Sequence, residues 1–272
     1  MDEFGNVFSQ FGEDEIIAKL LKCLESANLL DRWVCEFGAW DGLHFSNTAN
    51  LLVNSNFKAV LIEADPEKFK TLEKNMANLP VISINTFVEL DGDKTLDKIL
   101  SNTPIPRNFD LLSIDIDGAD YWVFEGMQVF RPKVIVIEFN PTIPKEVSFI
   151  NLRDITKNQG SSIRSICELA ESKNYSICGI TTCNIFLVDN EYEGLFKEHI
   201  LEANNLPDPK MINRFWQTYD GEIHTESPLT LLWHNMLVSD SKIQVLPQIF
   251  RIFPANMNRF RLFLFDQWKK LR

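Results

Sequence analysis

Short apolar runs at 33–37, 58–63, 81–84, 110–115 and 133–139 alternate with amphipathic stretches, and nothing else constrains the fold of this chain as strongly. A parallel strand covered on both faces has no polar side, so it reads as a near-continuous apolar run. The stretches at 45–55, 66–78, 94–101 and 119–130 carry helical periodicity. Asp65-Pro66 opens the second of them with a capping acid and a first-turn proline. Strand–helix–strand repetition of this kind predicts right-handed crossovers and an open α/β sheet with helices on both faces, Rossmann-like and doubly wound.

Two flanking segments extend the pattern. Residues 13–30 place apolar side chains at 16, 17, 20, 21 and 24, which is one helix face. Residues 161–173 form another helix with Ile163, Ile166 and Ala170 inward. Two β-rich runs follow, 175–180 and 185–188, joined by the polar Thr181-Thr182-Cys183-Asn184. So short a joint predicts a hairpin, giving five parallel strands plus a C-terminal antiparallel pair. The sheet domain is expected over 1–195, with 196–272 as a helical extension.

Charge and cysteine usage narrow the function. The net charge of −11 repels polyanions, so nucleic acid is not an expected partner. The five cysteines are odd in number and lack CxxC spacing, as expected of reduced core thiols in a cytoplasmic protein. The first residues lack the basic and apolar regions of a signal peptide, and no apolar stretch approaches the ~20 residues of a membrane span.

The first strand ends Glu36-Phe37-Gly38-Ala39-Trp40-Asp41-Gly42. Glycines at 38 and 42 let the backbone turn sharply and approach a ligand. GxGxxG is absent because position 40 is Trp, which disfavours a pyrophosphate cradle and a nicotinamide oxidoreductase. The second strand ends in Glu63, placed to hold two ribose hydroxyls. Together these features specify an adenosine-type ligand. The fourth strand ends Asp115-Ile116-Asp117 and the fifth Glu138-Phe139-Asn140, so an acid cluster should border the same crevice. Crowded carboxylates either raise one pKa, making Asp115, Asp117 or Glu138 a base, or collect a cation. Asp115, Glu138 and Asn140 are candidate Mg²⁺ ligands on the second alternative. His44, in the loop after the glycine turn, is a further candidate base. His199, His224 and His234 have no metal-ligand spacing.

Several blocks, in order, resemble the FkbM-type methyltransferase family. These are Ser9-Gln10-Phe11-Gly12-Glu13-Asp14, the Glu36–Gly42 turn continuing to Ser46-Asn47-Thr48, and Leu61-Ile62-Glu63-Ala64-Asp65-Pro66. Further along come Thr95–Leu100, Ser113–Gly118, Ile137–Asn140, Gly160-Ser161-Ser162 and Asn184-Ile185-Phe186. Ala64 departs from the proline usual in the second-strand block. The resemblance spans residues 9 to 190. It implies a class I methyltransferase fold, S-adenosylmethionine as donor, and O-methylation of a sugar or natural product. By position, Glu36, Gly38, Asp41 and Gly42 would line the cofactor, Glu63 with Asp65 its ribose, and Asp115 the methyl-transfer side. A methyltransferase-like module that only binds a partner is the remaining alternative. Intact Glu63, Asp115 and Glu138 weigh against it.

Residues 251–272 lie outside the resemblance. They carry Arg251, Arg259, Arg261, Lys269, Lys270 and Arg272 against Asp266 alone, a net +5 that leaves −16 on the rest of the chain. Phe260, Leu264 and Trp268 fall at helical spacing and predict one apolar stripe. Such a helix can pack on its own chain, on a second copy in a homodimer, or peripherally on an anionic membrane.

Overall fold

The structure, a computed structural model, describes residues 7–116, 118–226 and 228–271. It divides into two compact units, Met1–Lys210 and Met211–Arg272. In the first unit the elements run α1 (Glu13–Ser26), β1 (Trp33–Phe37), α2 (Ala49–Asn54), β2 (Lys58–Glu63), α3 (Pro66–Met76), β3 (Val81–Asn85), α4 (Leu96–Ser101) and β4 (Leu111–Ile114). They continue α5 (Asp120–Gly126), β5 (Val134–Glu138), α6 (Ile163–Ser172), β6 (Tyr175–Ile180) and β7 (Asn184–Asp189). The strands form one seven-stranded sheet in the order β3-β2-β1-β4-β5-β7-β6. The first five are parallel, and β7 runs antiparallel to both β5 and β6. This is the doubly wound α/β sheet with a closing hairpin that the sequence predicts.

Successive strand residues face opposite sides of the sheet, and that period sorts the core into two layers. Val34, Ala59, Leu61, Leu111, Val134 and Val136 pack under α1, α2 and α3 through Leu20, Leu24, Leu52 and Leu72. Cys35, Phe37, Val60, Ile62, Leu112, Ile135 and Ile137 pack under α4, α5 and α6 through Leu100, Phe124 and Ile166. The chain leaves β1 outward to β2 and β3, then returns to β4 on the other side of β1. The strand order therefore reverses between β1 and β4, and the crevice at their carboxyl ends is where such a sheet holds its ligands.

The first unit continues past residue 195. Phe196 is wholly buried in the α1–α3 layer, and Leu206 in the α4–α6 layer. The second unit is less helical than its sequence suggests. Before its last helix it forms two small antiparallel sheets, β8 (Phe215–Gln217) with β9 (Ile223–Thr225) and β10 (Leu229–Leu231) with β11 (Met236–Val238). A short α7 (Asp240–Ile243) and the long α8 (Arg259–Lys270) follow. The expected stripe of Phe260, Leu264 and Trp268 is shifted around α8. Leu264 and Trp268 are half-buried together with Phe265, while Phe260 is 68% exposed.

Candidate active site

Glu36, next to last in β1, has its carboxylate buried. Its Oε2 accepts from the hydroxyls of Ser46 and Thr48, both at 2.6 Å, and its Oε1 from the Asn47 amide at 2.9 Å. Burial raises the Glu36 pKa, and the donors of Ser46, Thr48 and Asn47 only partly offset that. The sequence reading set Glu36 against the cofactor. The structure instead commits it to fastening the loop of residues 38–48 onto the strand. Asn47 extends the fastening to β4 through Ser113 Oγ at 3.0 Å.

The glycine turn serves two packing needs. Gly38 has φ +76°, and a Cβ there would stand 1.9 Å from the Asp115 carbonyl oxygen. Only glycine lets the β1 turn touch the β4 tip this closely. Gly42, at φ +78°, lies against α3, where a Cβ would meet Met76 Cε at 2.7 Å. Its requirement is helix packing rather than ligand approach. Trp40 and Phe45 also have positive φ, +48° and +55°, without glycine's freedom. Strained loop residues of this kind cluster where a site must hold one shape. Their rings flank His44, at 5.0 Å from Trp40 and 3.9 Å from Phe45. Asp41 turns its carboxylate onto the amides of Leu43 and His44 at 3.0 and 2.7 Å.

Glu63 ends β2, only 6% exposed. One carboxylate oxygen accepts from the Trp40 amide at 2.8 Å, the other from the Asp65 amide at 2.7 Å. It thus joins the loop after β1 to the loop after β2, and each oxygen keeps a lone pair for a further donor. Asp65 caps α3 instead of facing the crevice: its side chain accepts from the amides of Glu67 and Lys68. The Lys68 amide, then the Glu67 amide, hold the Asp65 pKa below the ordinary carboxylate range.

Asp115 and Glu138 are both half-buried at the strand tips. Burial, then the carboxylates of Glu138, Glu13 and Asp115, push the pKa of the Cys183 thiol up. Asp117 lies outside the described residues. Asn140 does not join the cluster. Its Oδ1 accepts from the amide and hydroxyl of Thr142, and its Nδ2 donates to the Gln159 carbonyl. The expected Mg²⁺ set of Asp115, Glu138 and Asn140 therefore loses its third member. Among the described residues no group of three or more His, Cys, Asp or Glu is arranged to hold a metal.

The acid at the start of α1 is the participant that sequence reasoning missed. Glu13 is completely buried. It accepts from the Phe11 amide at 2.7 Å, from Thr181 Oγ1 at 2.6 Å and from Asn184 Nδ2 at 3.2 Å. Asp14 beside it gathers the amides of Val7, Phe8 and Ser9 on a single oxygen. The segment of residues 7–14 is thereby fixed over the start of β7, next to Glu138. The Ser9–Asp14 block was the available signal, but its partners stand some 170 residues away. A cleft of about 310 Å³ runs between this segment and the β1 loop, lined by Phe8, Ser9, Asp41, Leu43, His44 and Phe45. A larger cavity, about 540 Å³, opens between the C-terminal ends of α5 and α6, where Arg131, Lys173 and Tyr175 line it. It lies at the opposite edge of the sheet from the acids.

Residues 91–163 match the family model of the methyltransferase FkbM domain. Over that segment the chain is similar to methyltransferases of the FkbM type. The matched segment holds the β4 and β5 tips, and so Asp115 and Glu138. Gly38 and Glu63 lie before it. No curated protein matches the chain. Solved structures with a similar sheet include TrmK of M. capricolum with S-adenosylhomocysteine, at 15% identity, covering 62% of this chain and 68% of that one, with a TM-score of 0.37. An O-methyltransferase of Bacillus cereus, also with S-adenosylhomocysteine, is 18% identical over 65% of this chain and 91% of its own, TM-score 0.39. An S-adenosylmethionine-dependent methyltransferase of Aquifex aeolicus is 10% identical, over 65% and 97%, TM-score 0.36. None of the described helices is long and apolar enough to cross a membrane.

Proposed function

We propose that the chain is a cytoplasmic enzyme that moves a methyl group from S-adenosylmethionine to a hydroxyl oxygen of a sugar or glycan-type small molecule. The observation that carries this is Glu63: a buried strand-tip carboxylate, held by two loop amides, with acceptor capacity to spare. That is the donor–acceptor pattern a ribose diol needs. S-adenosylmethionine, when bound, supplies a methyl carbon made electrophilic by its sulfonium. The remaining work falls to the chain's own groups. The Glu36 fastening keeps the loop of residues 38–48 in one shape, so the acceptor meets a preorganised surface. Asp115 takes the proton of the attacking hydroxyl, and Glu138 accepts from a neighbouring hydroxyl to align it. A site rich in carboxylates suits a neutral, polyhydroxylated acceptor and repels an anionic one. No metal is required in this scheme.

Calorimetry with S-adenosylhomocysteine and with NAD, followed by labelled methyl transfer to a panel of neutral glycosides, tests the reading. Binding of S-adenosylhomocysteine and label on a glycoside oxygen are expected. Binding of NAD alone would overturn the cofactor assignment. Label appearing only on phenols or amines would overturn the acceptor class and leave the cofactor assignment standing.

A further inference from the structure

The last helix, α8, has two apolar sides and uses one of them within its own unit. Leu264, Phe265 and Trp268 turn inward. The rings of Phe265 and Trp268 lie 5.3 and 5.7 Å from that of Phe250 and stack on each other at 5.9 Å. Asn258 caps the helix by accepting from the Arg261 amide at 2.9 Å. The other side keeps Phe260 and Phe263 at 68% and 59% exposure, with Leu262 at 39%. Phe260 and Phe263 are three residues apart and so adjacent on the helix surface. Arg259, one turn before Phe263, and Lys270, two turns after it, share that side and are exposed. Lys269 is engaged elsewhere, paired with Asp266 at 2.8 Å and lying over the Phe265 ring at 4.8 Å. Along the helix the outward side therefore reads Arg259, Phe260, Phe263, Asp266, Lys270, with the Asp266 carboxylate already paired to Lys269.

We propose that this side of α8 lies on an anionic lipid surface. Phe260 and Phe263 enter the boundary between headgroups and acyl chains, and Arg259 and Lys270 meet lipid phosphates and carboxylates. A helix with aromatic residues between cations binds in the plane of such an interface. Charge disfavours the alternative of two copies joined through this side. A two-fold contact is isologous, so it sets the same helix, with four basic residues against one acid, beside its own copy. Asp266 is the one acid in the helix to offset them, and Lys269 already holds it. A lipid surface supplies the opposite charge in a flat layer, which matches cations spread along the helix axis.

The test is flotation of the full chain with phosphatidylcholine vesicles containing roughly a third phosphatidylserine. The wild-type chain is expected to float with these and to stay down with phosphatidylcholine alone. Raising salt from about 0.1 M to about 0.5 M should weaken the association. Phe260→Ser/Phe263→Ser and Arg259→Glu/Lys270→Glu should each lower partitioning about tenfold or more. Both pairs face solvent, and an unchanged circular dichroism spectrum and thermal melt would verify that the fold is kept. A wild-type chain that does not float would overturn the proposal. So would variants that float as well as wild type, or a dimer seen by light scattering that the serine pair dissolves. The readout is binding, so it stands whichever acceptor is methylated.

Discussion

The two edges of the central sheet treat buried charge in opposite ways. At the edge where the parallel strands begin, Lys133 is 2% exposed and bonds Asp110 at 2.7 Å, Asp31 at 2.6 Å and the Leu29 carbonyl at 2.6 Å. Asp110, wholly buried, also accepts from the amides of Asp31 and Trp33. Burial alone would lower the Lys133 pKa, but the hydrogen bonds and charges of Asp110 and Asp31 outweigh it and raise it. At the edge where the strands end, Glu13, Glu36 and Glu63 are held by amides and hydroxyls, with no cation among these bonds. One edge closes its charges against each other. The other keeps negative charge and acceptor capacity, as a site for donors must.

Breaking the closed edge should have the largest effect. Lys133→Met removes the one cation from a buried acid, and losing one partner of such a pair costs about 3–5 kcal/mol. Urea unfolding should register that loss, while the folded variant keeps its affinity for S-adenosylhomocysteine. A loss below about 1 kcal/mol would mean that this edge is as open to water as the other.

At the open edge, substitutions should alter function more than stability. Asp115→Asn keeps shape and removes the base, so turnover should fall about 10²-fold or more with cofactor binding retained. Activity within a few-fold of wild type would take Asp115 out of the mechanism. Full activity after chelation is expected, since Asn140 is committed to Thr142 and Gln159. Glu63→Ala should weaken S-adenosylhomocysteine by about 1.5–3 kcal/mol, the scale of charge-assisted hydrogen bonds, with thermal stability measured alongside. Unchanged affinity in a folded variant would remove the ribose assignment.

What was legible in the sequence follows from the range of the interactions. β1 and β2 have the expected bounds because a buried parallel strand must be apolar throughout. The helix expected at 45–55 begins only at Ala49, because Ser46 and Thr48 give their hydroxyls to Glu36. The helix expected at 119–130 ends at Gly126. There the Asp97 carboxylate takes the amides of Gln128, Val129 and Phe130 and draws the chain out of the helix. Glycine turns and strand-tip acids could be placed from local pattern. Which acids are spent on packing could not, since the partners of Glu36 and Glu13 come from other segments of the chain. The second unit was least legible: its strands are three residues long and leave no periodic run to read.

Glu36 gives the smallest effect and the finest test of the comparison, because it sits at the open edge yet serves packing. Burial sets its folded pKa above the ordinary carboxylate value of 4.5. A carboxyl with a raised folded pKa contributes stability that is full below its unfolded pKa and is lost as pH rises through the folded one. The wild type should therefore lose stability relative to Glu36→Gln as pH climbs from about 4.5, and the difference should level off once the folded protein has ionised. Gln keeps an acceptor for the Ser46 and Thr48 hydroxyls but sets an NH₂ group against one of the three donors, so its own offset is independent of pH. Urea melts of both proteins across that range isolate the slope from the offset. A slope of the opposite sign would mean that Ser46, Thr48 and Asn47 stabilise the carboxylate more than burial penalises it. Glu36 would then belong with the acids that keep their charge for the site.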